Sequence, residues 1–376
     1  MKRWRILVVD DEPGVLRAVQ RVLGSAHDLT LCDSSPAARD LARRSRPHLA
    51  LIDIRMPHLD GFDLMTQLKE DDPDLEVILM TGSMDDTDEK LVRAVRNRAF
   101  YYITKPFDRD ALLALVDRCL ELKRLELSNR AYADHLRRQL LAAGAFQRTM
   151  LPPASAHLNG VELRAGYYPC DQVAGDYYDY AVTGGDLVTL LLADVVGHGA
   201  SAAMFTALVK SAFHRAADRG YAPLRVARIL LDDLSAFESD QYVTLLCARL
   251  SRSGRTIEYV NAGHSGGLIV GGDETLLPLE VTSPLISPVV PPSALRTATI
   301  PLPADSLLLL FTDGAAEAWS DDEMFGLERL YALARTGWAC RDALPQHLQD
   351  GVRRFLGDRS QTDDITFLAA WPASAR

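Results

Sequence analysis

Three acidic side chains follow short apolar runs near the start of the chain. Asp10 and Asp11 come directly after the run at 6–9, and Asp53 comes directly after the run at 48–52. If these runs are parallel strands, their carboxyl ends meet at one edge of a sheet and the three carboxylates come together. Such carboxylates repel one another unless a proton or a cation lies between them. A hard divalent ion with oxygen ligands, such as Mg2+, resolves that conflict.

Two further side chains at predicted strand ends indicate phosphoryl chemistry. Thr81 follows the apolar run at 77–80, and Lys105 follows the run at 101–104. A lysine offers a compact positive charge to a phosphoryl group, and a threonine offers a hydroxyl donor. A carboxylate that takes up a phosphoryl group is established chemistry. Asp53 is the best placed carboxylate for that role.

A second set of acids is scattered over the later part of the chain. These acids occur in four segments, each with a glycine or a strand end, at 173–179, 193–199, 311–314 and 362–366. Three of the four adjoin apolar strand candidates, and carboxylates near a core are costly unless they hold metal. Because no Cys/His ligand set competes, we expect oxygen-loving Mg2+ or Mn2+.

Two such ions can bridge and deprotonate a water while they neutralise phosphate oxygens. The sequence contains no nucleophilic Ser or Cys motif and no GxxxxGK[ST] phosphate loop. Hydrolysis by metal-bound water is therefore favoured over a covalent intermediate or nucleotide-driven transfer.

The elements expected to position Asp10, Asp11 and Asp53 alternate between strands and helices. Apolar strand candidates alternate with helical patterns at about 14–24, 36–45, 61–70 and 86–97, and a fifth helix starts near Asp108. This alternation predicts an α/β domain with a doubly wound parallel sheet over residues 1–121.

Residues 122–150 predict a helical connector. Apolar and a few polar residues recur there at alternating three- and four-residue spacing, and Pro152 and Pro153 end the pattern. Two interpretations remain open: a coiled coil that joins two copies of the chain, or an amphipathic helix packed on its own domain.

Residues 151–376 show strands that adjoin strands, together with helical patterns at about 200–217, 222–237, 326–335 and 341–356. This order predicts an α+β domain, an antiparallel β-sandwich flanked by helices.

Composition excludes several classes of protein. A chain of 376 residues fits two domains and a connector. The formal net charge of -10, with the acid excess mainly in the C-terminal domain, argues against nucleic-acid binding. No apolar stretch approaches the roughly 18–20 residues of a membrane span. The five cysteines form no CxxC pair, so we expect a cytoplasmic protein without zinc or disulfides.

The N-terminal motifs resemble those of the response-regulator receiver domain. They are VVDDE at 8–12, LIDIRMPHLDGFDL at 51–64, MTG at 80–82 and YITKPF at 102–107. The resemblance implies phosphorylation of Asp53 by a sensor histidine kinase. It implies Mg2+ bound by Asp10, Asp11, Asp53 and the carbonyl of Arg55. Thr81 and Tyr102 would be switch residues, and the Lys105-Pro106 bond would aim the lysine.

The C-terminal motifs resemble those of the PPM family of metal-dependent serine/threonine phosphatases (type 2C), in its sporulation and stress-response branch. The match runs from about 146 to 371 and includes the segments 146–152 and 259–264. It implies two Mn2+ or Mg2+ ions held by the catalytic residues Asp176, Asp194, Asp313 and Asp363, with the carbonyl of Val195.

Some assignments within this second resemblance remain open. Asp364 is an alternative to Asp363, and Asp179 lies either behind the site or in a turn. His198 and His264 are expected to have structural or orienting roles. Ala174 and Val196 replace a usual glycine and a usual small polar residue, and no phosphate-gripping arginine is evident.

Together the two resemblances imply a response regulator that controls a protein phosphatase. The implied substrate is a phosphorylated anti-sigma-factor antagonist of the STAS type, and the implied assembly is a homodimer through the connector. The alternative is a non-catalytic adaptor whose phosphatase-like domain binds a sigma factor or another partner. The retained metal aspartates favour the enzyme. The sequence leaves open whether receiver phosphorylation activates or inhibits.

Overall fold

A computed structural model describes residues 3–82, 101–197, 199–237, 241–253, 255–303 and 305–373. The chain divides into two units, Met1–His135 and Leu136–Arg376. None of the helices in the described ranges combines the length and the apolar character that a membrane span needs.

The N-terminal unit is built on a parallel five-stranded sheet. Its strands are β1 Arg5–Val9, β2 Asp28–Cys32, β3 Leu49–Asp53, β4 Glu76–Thr81 and β5 Tyr101–Thr104. They pair in the order β2-β1-β3-β4-β5, and all neighbours are parallel. The described helices are α1 Pro13–Leu23, α2 Ser35–Ser45, α3 Gly61–Asp71 and α4 Arg109–Met150. The predicted doubly wound sheet is confirmed, and the helix predicted at 86–97 lies outside the described residues.

Both faces of this sheet are buried, which explains its continuous apolar strands. Leu7 and Val9 of β1 pack with α2 and α3, whereas Ile6 and Val8 pack with α1 and the first turns of α4. Alternate residues of a strand face opposite sides, so a strand that is buried on both sides is apolar throughout. The chain can place polar groups only where the strands end.

The helix α4 runs without a break over 42 residues. It contains both the last helix predicted for the N-terminal domain and the predicted connector at 122–150. The predicted domain boundary therefore falls inside a helix, and the two units divide further along it, between His135 and Leu136. The three-part division of the chain stays a prediction.

The C-terminal unit is a sandwich of two antiparallel sheets. Its strands are β6 Ser155–Leu158, β7 Val161–Tyr168, β8 Asp176–Thr183, β9 Leu187–Val195, β10 Val243–Ser251, β11 Thr256–Ala262, β12 Gly267–Gly271, β13 Leu276–Pro278, β14 Ala298–Pro301, β15 Ser306–Phe311, β16 Trp319–Ser320, β17 Glu323–Met324 and β18 Ile365–Pro372. One sheet has the order β14-β11-β10-β9-β8 and the other β13-β12-β15-β18-β7-β6, while β16 and β17 form a separate hairpin. The predicted β-sandwich is confirmed.

Helices cover the outer face of each sheet. They are α5 Ala200–Arg215, α6 Pro223–Ser235, α7 Asp313–Ala316, α8 Gly326–Thr336 and α9 Leu344–Leu356, with 3-10 helices at Ala216–Arg219, Pro292–Ala294 and Gly337–Ala343. In β9, Leu190 and Leu192 face the core between the sheets, whereas Leu191 and Ala193 face α5 and α6. The second sheet packs against α8 and α9 in the same way.

The strand β8 does not have the sequence pattern of a buried strand. It begins with Asp-Tyr-Tyr-Asp-Tyr, which lacks the apolar run expected of a buried strand. Its polar atoms are satisfied by specific partners: the Tyr177 hydroxyl donates to Asp179 Oδ2 at 2.5 Å, and the Tyr178 hydroxyl donates to the Pro152 carbonyl at 3.1 Å. These partners allow a polar sequence to occupy the sandwich.

Candidate functional site

At the carboxyl edge of the parallel sheet, three predicted acids come together. Asp53 ends β3, while Asp10 and Asp11 directly follow β1. One carboxylate oxygen from each lies within 4.8 Å of the others, with Asp10 and Asp53 buried and Asp11 exposed. This distance suits three ligands of one small cation.

Lys105 faces the same acids. Its Nζ atom lies 2.7 Å from Asp10 Oδ2 and 2.8 Å from Asp53 Oδ1. Burial raises the pKa of Asp10 and of Asp53, although the hydrogen bonds from Lys105 oppose the shift. Burial lowers the pKa of Lys105, but its bonds to Asp10 and Asp53 outweigh burial and raise it overall. The peptide bond between Lys105 and Pro106 is cis.

The remaining predicted residues of this unit surround the acid cluster. Thr81 ends β4, and its buried hydroxyl has no hydrogen-bond partner among the described residues. Arg55 lines a cleft of about 580 Å3 together with Asp11 and Asp60. Tyr102 lies on β5 and is 40% exposed. An unpartnered buried hydroxyl is unfavourable unless a ligand accepts its hydrogen bond, as a phosphoryl oxygen does.

In the C-terminal unit, strand pairing brings two predicted acids face to face. Asp176 at the start of β8 lies directly opposite Asp194 on β9. Asp176 also accepts hydrogen bonds across the sandwich, from the Thr312 hydroxyl at 2.9 Å and from the Thr366 hydroxyl at 2.5 Å. These two threonines, which the sequence analysis missed, hold Asp176 in place. Each adjoins an aspartate motif, in TDG and in DDIT, and this was the only signal.

A glycine makes the approach of these strands possible. A Cβ atom at Gly175 would lie 2.7 Å from the Val195 carbonyl oxygen and 3.3 Å from Asp194 Oδ1. Any larger residue would displace those oxygens. The carbonyl of Val195 and the carboxylate of Asp194 therefore belong to one oxygen-lined surface beside Asp176.

The two other predicted acids come from the second sheet. Asp313 begins α7 and is separated from the end of β15 by Thr312, and Asp363 lies on the loop that leads into β18. Asp364 accepts hydrogen bonds from the backbone N–H groups of Cys170 and Gly175, both at 2.8 Å. Because both oxygens of Asp364 are used in this way, Asp363 is the better metal-ligand candidate.

The carboxylates of this site disfavour one another's charge. Burial raises the pKa of Asp176 well above its ordinary value, and the nearby Asp194 adds to the shift. Burial, together with Asp313 and Asp363, raises the pKa of Asp194 to about 7. Burial and Asp363 also raise the pKa of Asp313. Divalent cations would remove this conflict by favouring the ionised forms.

The donor set fits hard cations, because it consists of carboxylate and carbonyl oxygens. Among the His, Cys, Asp and Glu residues of the described ranges, one group of three places its ligand atoms all within 4.8 Å of one another. That group is Asp10, Asp11 and Asp53. The acids of the C-terminal unit are therefore more widely spaced.

His264 braces the two sheets near this site. Its Nδ1 lies 2.8 Å from the Thr244 hydroxyl, and its Nε2 lies 3.1 Å from the Phe311 carbonyl. Thr244 pairs with Asp194 on the adjacent strand, and Phe311 immediately precedes Thr312 and Asp313. Burial lowers the pKa of His264 to about 4, so the neutral ring donates from Nε2 and accepts at Nδ1. The expected structural role fits this geometry; His198 lies outside the described residues.

Asp179 does not belong to the acid cluster. It lies within β8 and contacts Tyr177, and its Oδ2 atom is 3.1 Å from His214 Nε2 and 3.8 Å from Lys210 Nζ. Because Asp179 lies within a strand, the turn alternative is wrong, and its placement behind the site stays a prediction. Lys210 also donates a hydrogen bond to the Met150 carbonyl at 2.7 Å, at the end of α4.

The end of α4 also contacts the backbone beside Asp176. The side-chain amide of Gln147 donates to the Ala174 carbonyl at 2.7 Å and accepts from the Ala174 N–H at 3.0 Å. Gln147 is buried and lies within 3.2 Å of the Thr206 hydroxyl on α5. A reciprocal pair of this kind fixes the backbone just before Gly175 and Asp176.

Comparisons with known proteins agree with this geometry. Residues 184–371, half of the chain, match the family model of stage II sporulation protein E (SpoIIE), and residues 6–117 match the response regulator receiver domain. The C4-dicarboxylate transport transcriptional regulatory protein DctD of Pseudomonas aeruginosa is 39% identical over 127 residues, covering 34% of this chain and 27% of DctD. Protein IcfG of Synechocystis is 23% identical over 254 residues, covering 60% of this chain and 40% of IcfG. The chain thus spans well under half the length of these relatives.

Two solved structures share the fold of the C-terminal unit. The SiaA-PP2C domain of Pseudomonas aeruginosa has a TM-score of 0.56 at 21% identity and covers 64% of this chain and 98% of that domain. The RsbU and RsbW domains of Rv1364c from Mycobacterium tuberculosis have a TM-score of 0.51 at 23% identity, covering 59% of this chain and 63% of that one. The chain therefore belongs to the SpoIIE family, and it joins a response regulator receiver domain to a PP2C-type phosphatase domain.

Proposed function

We propose that this chain is a two-component response regulator whose phosphorylation on Asp53 controls the metal-dependent dephosphorylation of serine- or threonine-phosphorylated proteins. The observation that carries the proposal is the strand pairing of Asp176 with Asp194 beside the Val195 carbonyl. This arrangement brings buried acids together where only protons or cations relieve their repulsion.

In the proposed reaction, Asp176, Asp194, Asp313, Asp363 and the Val195 carbonyl hold two Mn2+ or Mg2+ ions. When bound, such ions lower the pKa of a water and neutralise phosphate oxygens. The threonines that donate to Asp176 hold its carboxylate in place and oppose, without cancelling, the rise of its pKa. The brace made by His264 sets the separation between the strand of Asp194 and the turn of Asp313.

Hydrolysis of p-nitrophenyl phosphate with Mn2+ tests the catalytic proposal and separates it from the adaptor alternative. Asp313→Asn keeps the side-chain shape but weakens a metal ligand, so we expect turnover to fall at least a hundredfold. Asp232→Asn, at an exposed carboxylate on α6, is the matched control and should retain activity. Unchanged turnover in Asp313→Asn would contradict the proposal.

In the receiver, we propose a role for each of the residues at the carboxyl edge of the sheet. Asp10, Asp11, Asp53 and the Arg55 carbonyl bind Mg2+, and Asp53 accepts the phosphoryl group from a sensor histidine kinase. Lys105 is within 2.8 Å of Asp53 and therefore close to any phosphoryl group attached there. Thr81 supplies its unpartnered hydroxyl to a phosphoryl oxygen, and Tyr102 responds as the second switch residue.

The proposed physiological substrate is a phosphorylated anti-sigma-factor antagonist of the STAS type. Membership of the SpoIIE family supports this choice, together with the sequence resemblance to the sporulation and stress-response phosphatases. Dephosphorylation of such a protein would change transcription without contact between this acidic chain and DNA.

The proposed assembly is a homodimer through α4. The residues of the connector at alternating three- and four-residue spacing, here called the seam, are those at 122, 125, 129, 132, 136, 139, 143, 146 and 150. Five of them carry exposed apolar or aromatic side chains, namely Leu122, Leu125, Tyr132, Leu136 and Phe146. A stripe of this kind is unfavourable in water and is covered when two helices pair.

A further inference from the structure

A glutamine is buried on the apolar face of α9. Gln349 is 1% exposed, and its helix neighbours Leu348 and Val352 belong to the apolar core between α9 and the second sheet. Its side-chain oxygen has no hydrogen-bond partner among the described residues, and its Nε2 atom donates to Gln361 Oε1 at 3.5 Å. A buried oxygen without a partner lowers stability. An apolar residue of similar size would avoid this loss, so Gln349 needs an explanation other than packing.

Its partner Gln361 joins two segments through its amide group. The Nε2 atom of Gln361 donates to the Tyr168 carbonyl at the end of β7 and to the Asp363 carbonyl, both at 2.6 Å. An amide NH2 group has two hydrogens, so these two bonds use both of them. Because Gln349 offers a donor to Gln361 Oε1, it favours the orientation in which the NH2 group faces the two carbonyls.

The segment that Gln361 holds carries the candidate metal ligand Asp363. Within this segment the Asp364 N–H donates to Asp363 Oδ1 at 2.8 Å, so the path of the backbone sets the direction of the Asp363 carboxylate. The carboxylate of Asp364 accepts from the N–H groups of Cys170 and Gly175. Asp364 therefore fixes the segment on the C-terminal side of Asp363, and Gln361 fixes it on the N-terminal side.

We propose that Gln361 is a positioning residue for the carboxylate of Asp363, and that Gln349 orients the amide of Gln361. This inference rests on the proposed phosphatase function and adds two residues that support its metal site. Replacement of groups that hold metal ligands in place typically changes metal affinity by about 10–100-fold. The unpartnered oxygen of Gln349 fits this role, because locally unfavourable groups are retained where function requires them.

The test measures Mn2+ binding by the full chain. Gln361→Met keeps the length of the side chain and removes its donors. We expect the Mn2+ dissociation constant, obtained from the rise in the Tm of the phosphatase unit with Mn2+ concentration, to increase about tenfold. The Mn2+ concentration for half-maximal hydrolysis of p-nitrophenyl phosphate should increase in parallel. At saturating Mn2+, kcat should stay within about threefold of the unaltered protein, because the ions then hold Asp363 themselves.

A second variant separates positioning from packing. Gln349→Met removes a buried oxygen that has no partner, so the Tm in EDTA should stay the same or rise. The amide of Gln361 loses its orienting contact, so the Mn2+ dissociation constant should nevertheless increase, by about threefold or more. A residue with a packing role alone would change the Tm in EDTA and leave the dissociation constant as it is.

Gln346→Met is the matched control, since it makes the same chemical change at an exposed glutamine of α9 and should leave Mn2+ binding unaltered. An unchanged dissociation constant in Gln361→Met would overturn the role of Gln361, and an unchanged constant in Gln349→Met would overturn the orienting role. If Mn2+ neither raises the Tm of the unaltered phosphatase unit nor supports hydrolysis of p-nitrophenyl phosphate, the phosphatase proposal itself fails.

Discussion

Buried carboxylates define this protein at the scale of single residues. Asp176 and Asp194 lie opposite each other with raised pKa values, and hydroxyl donors from the other sheet hold Asp176. A chain that keeps such acids together without a cation loses stability, because the charged forms are poorly solvated. The arrangement is therefore expected where a bound metal, rather than the apoprotein, is the working form.

This repulsion predicts how the stability of the metal-free protein depends on pH. The pKa of Asp194 is raised from 3.8 to about 7 in the folded state. The folded state therefore binds more protons than the unfolded chain, and this contribution to stability falls as pH rises from about 4 to about 7. In EDTA we expect the Tm of the phosphatase unit to fall by roughly 5 °C or more between pH 5 and pH 8. Scanning calorimetry measures it.

Two comparisons assign that fall to the carboxylates of the site. Asp194→Asn cannot ionise, so its Tm should change less over the same pH range. Added Mn2+ should restore the Tm of the unaltered protein at pH 8, because it binds the ionised folded form. An identical pH slope in the variant would contradict the assignment.

At the scale of elements, the end of α4 is joined to the strand of Asp176. Gln147 satisfies both backbone groups of Ala174, and Lys210 of α5 donates to the last carbonyl of the helix. A lysine at a helix C-terminus is favourable because it faces the negative end of the helix dipole. Movement of α4 would therefore act directly on the backbone beside Asp176.

Removing the Gln147 amide should reduce activity without damaging the receiver. Gln147→Leu has a similar size but leaves the N–H and carbonyl of Ala174 buried without partners, a loss of about 1–3 kcal/mol for each group. We expect turnover of p-nitrophenyl phosphate to fall about tenfold, while phosphorylation of Asp53 by acetyl phosphate continues. Arg148→Gln, at the neighbouring exposed position, is the control and should stay close to the unaltered protein. Full activity in Gln147→Leu would argue against this coupling.

At the scale of the whole molecule, one continuous helix belongs to both units. The helix α4 begins in the core of the receiver and ends at Met150, beside α5 of the phosphatase unit. A helix that pairs with a second copy can transmit a change from one domain to the next, because paired helices have a few discrete arrangements rather than a continuum. The exposed seam of α4 is the part of the chain that would form such a pair.

This interpretation predicts a dimer that seam substitutions disrupt. Tyr132 is 66% exposed, and Leu136 is 41% exposed. Glutamates at both positions would place charges in the seam, where burial is strongly unfavourable. Light scattering after size exclusion should show twice the chain mass for the unaltered protein and a monomer for Tyr132→Glu, Leu136→Glu. His135→Glu lies outside the seam and should remain dimeric. A monomeric unaltered protein would contradict the prediction.

Much of this organisation follows from local sequence. Apolar runs with the period of strands or helices indicate both fold classes, because burial of one or two faces fixes that period. The receiver acids are predictable for the same reason: in a parallel sheet all strand ends of one kind share an edge. Asp10, Asp11, Asp53 and Lys105 therefore come together as expected.

The tertiary structure decided what depends on contacts between distant segments. The strand β8, the threonines that donate to Asp176, and the backbone N–H groups that donate to Asp364 depend on hydrogen bonds across the sandwich. Gln147 beside Ala174 is another such contact. No local pattern encodes these partners, because a hydrogen bond depends on distance and angle between groups far apart in the chain. Sequence alone determined which residues can do the chemistry, and tertiary packing decided which of them face one another.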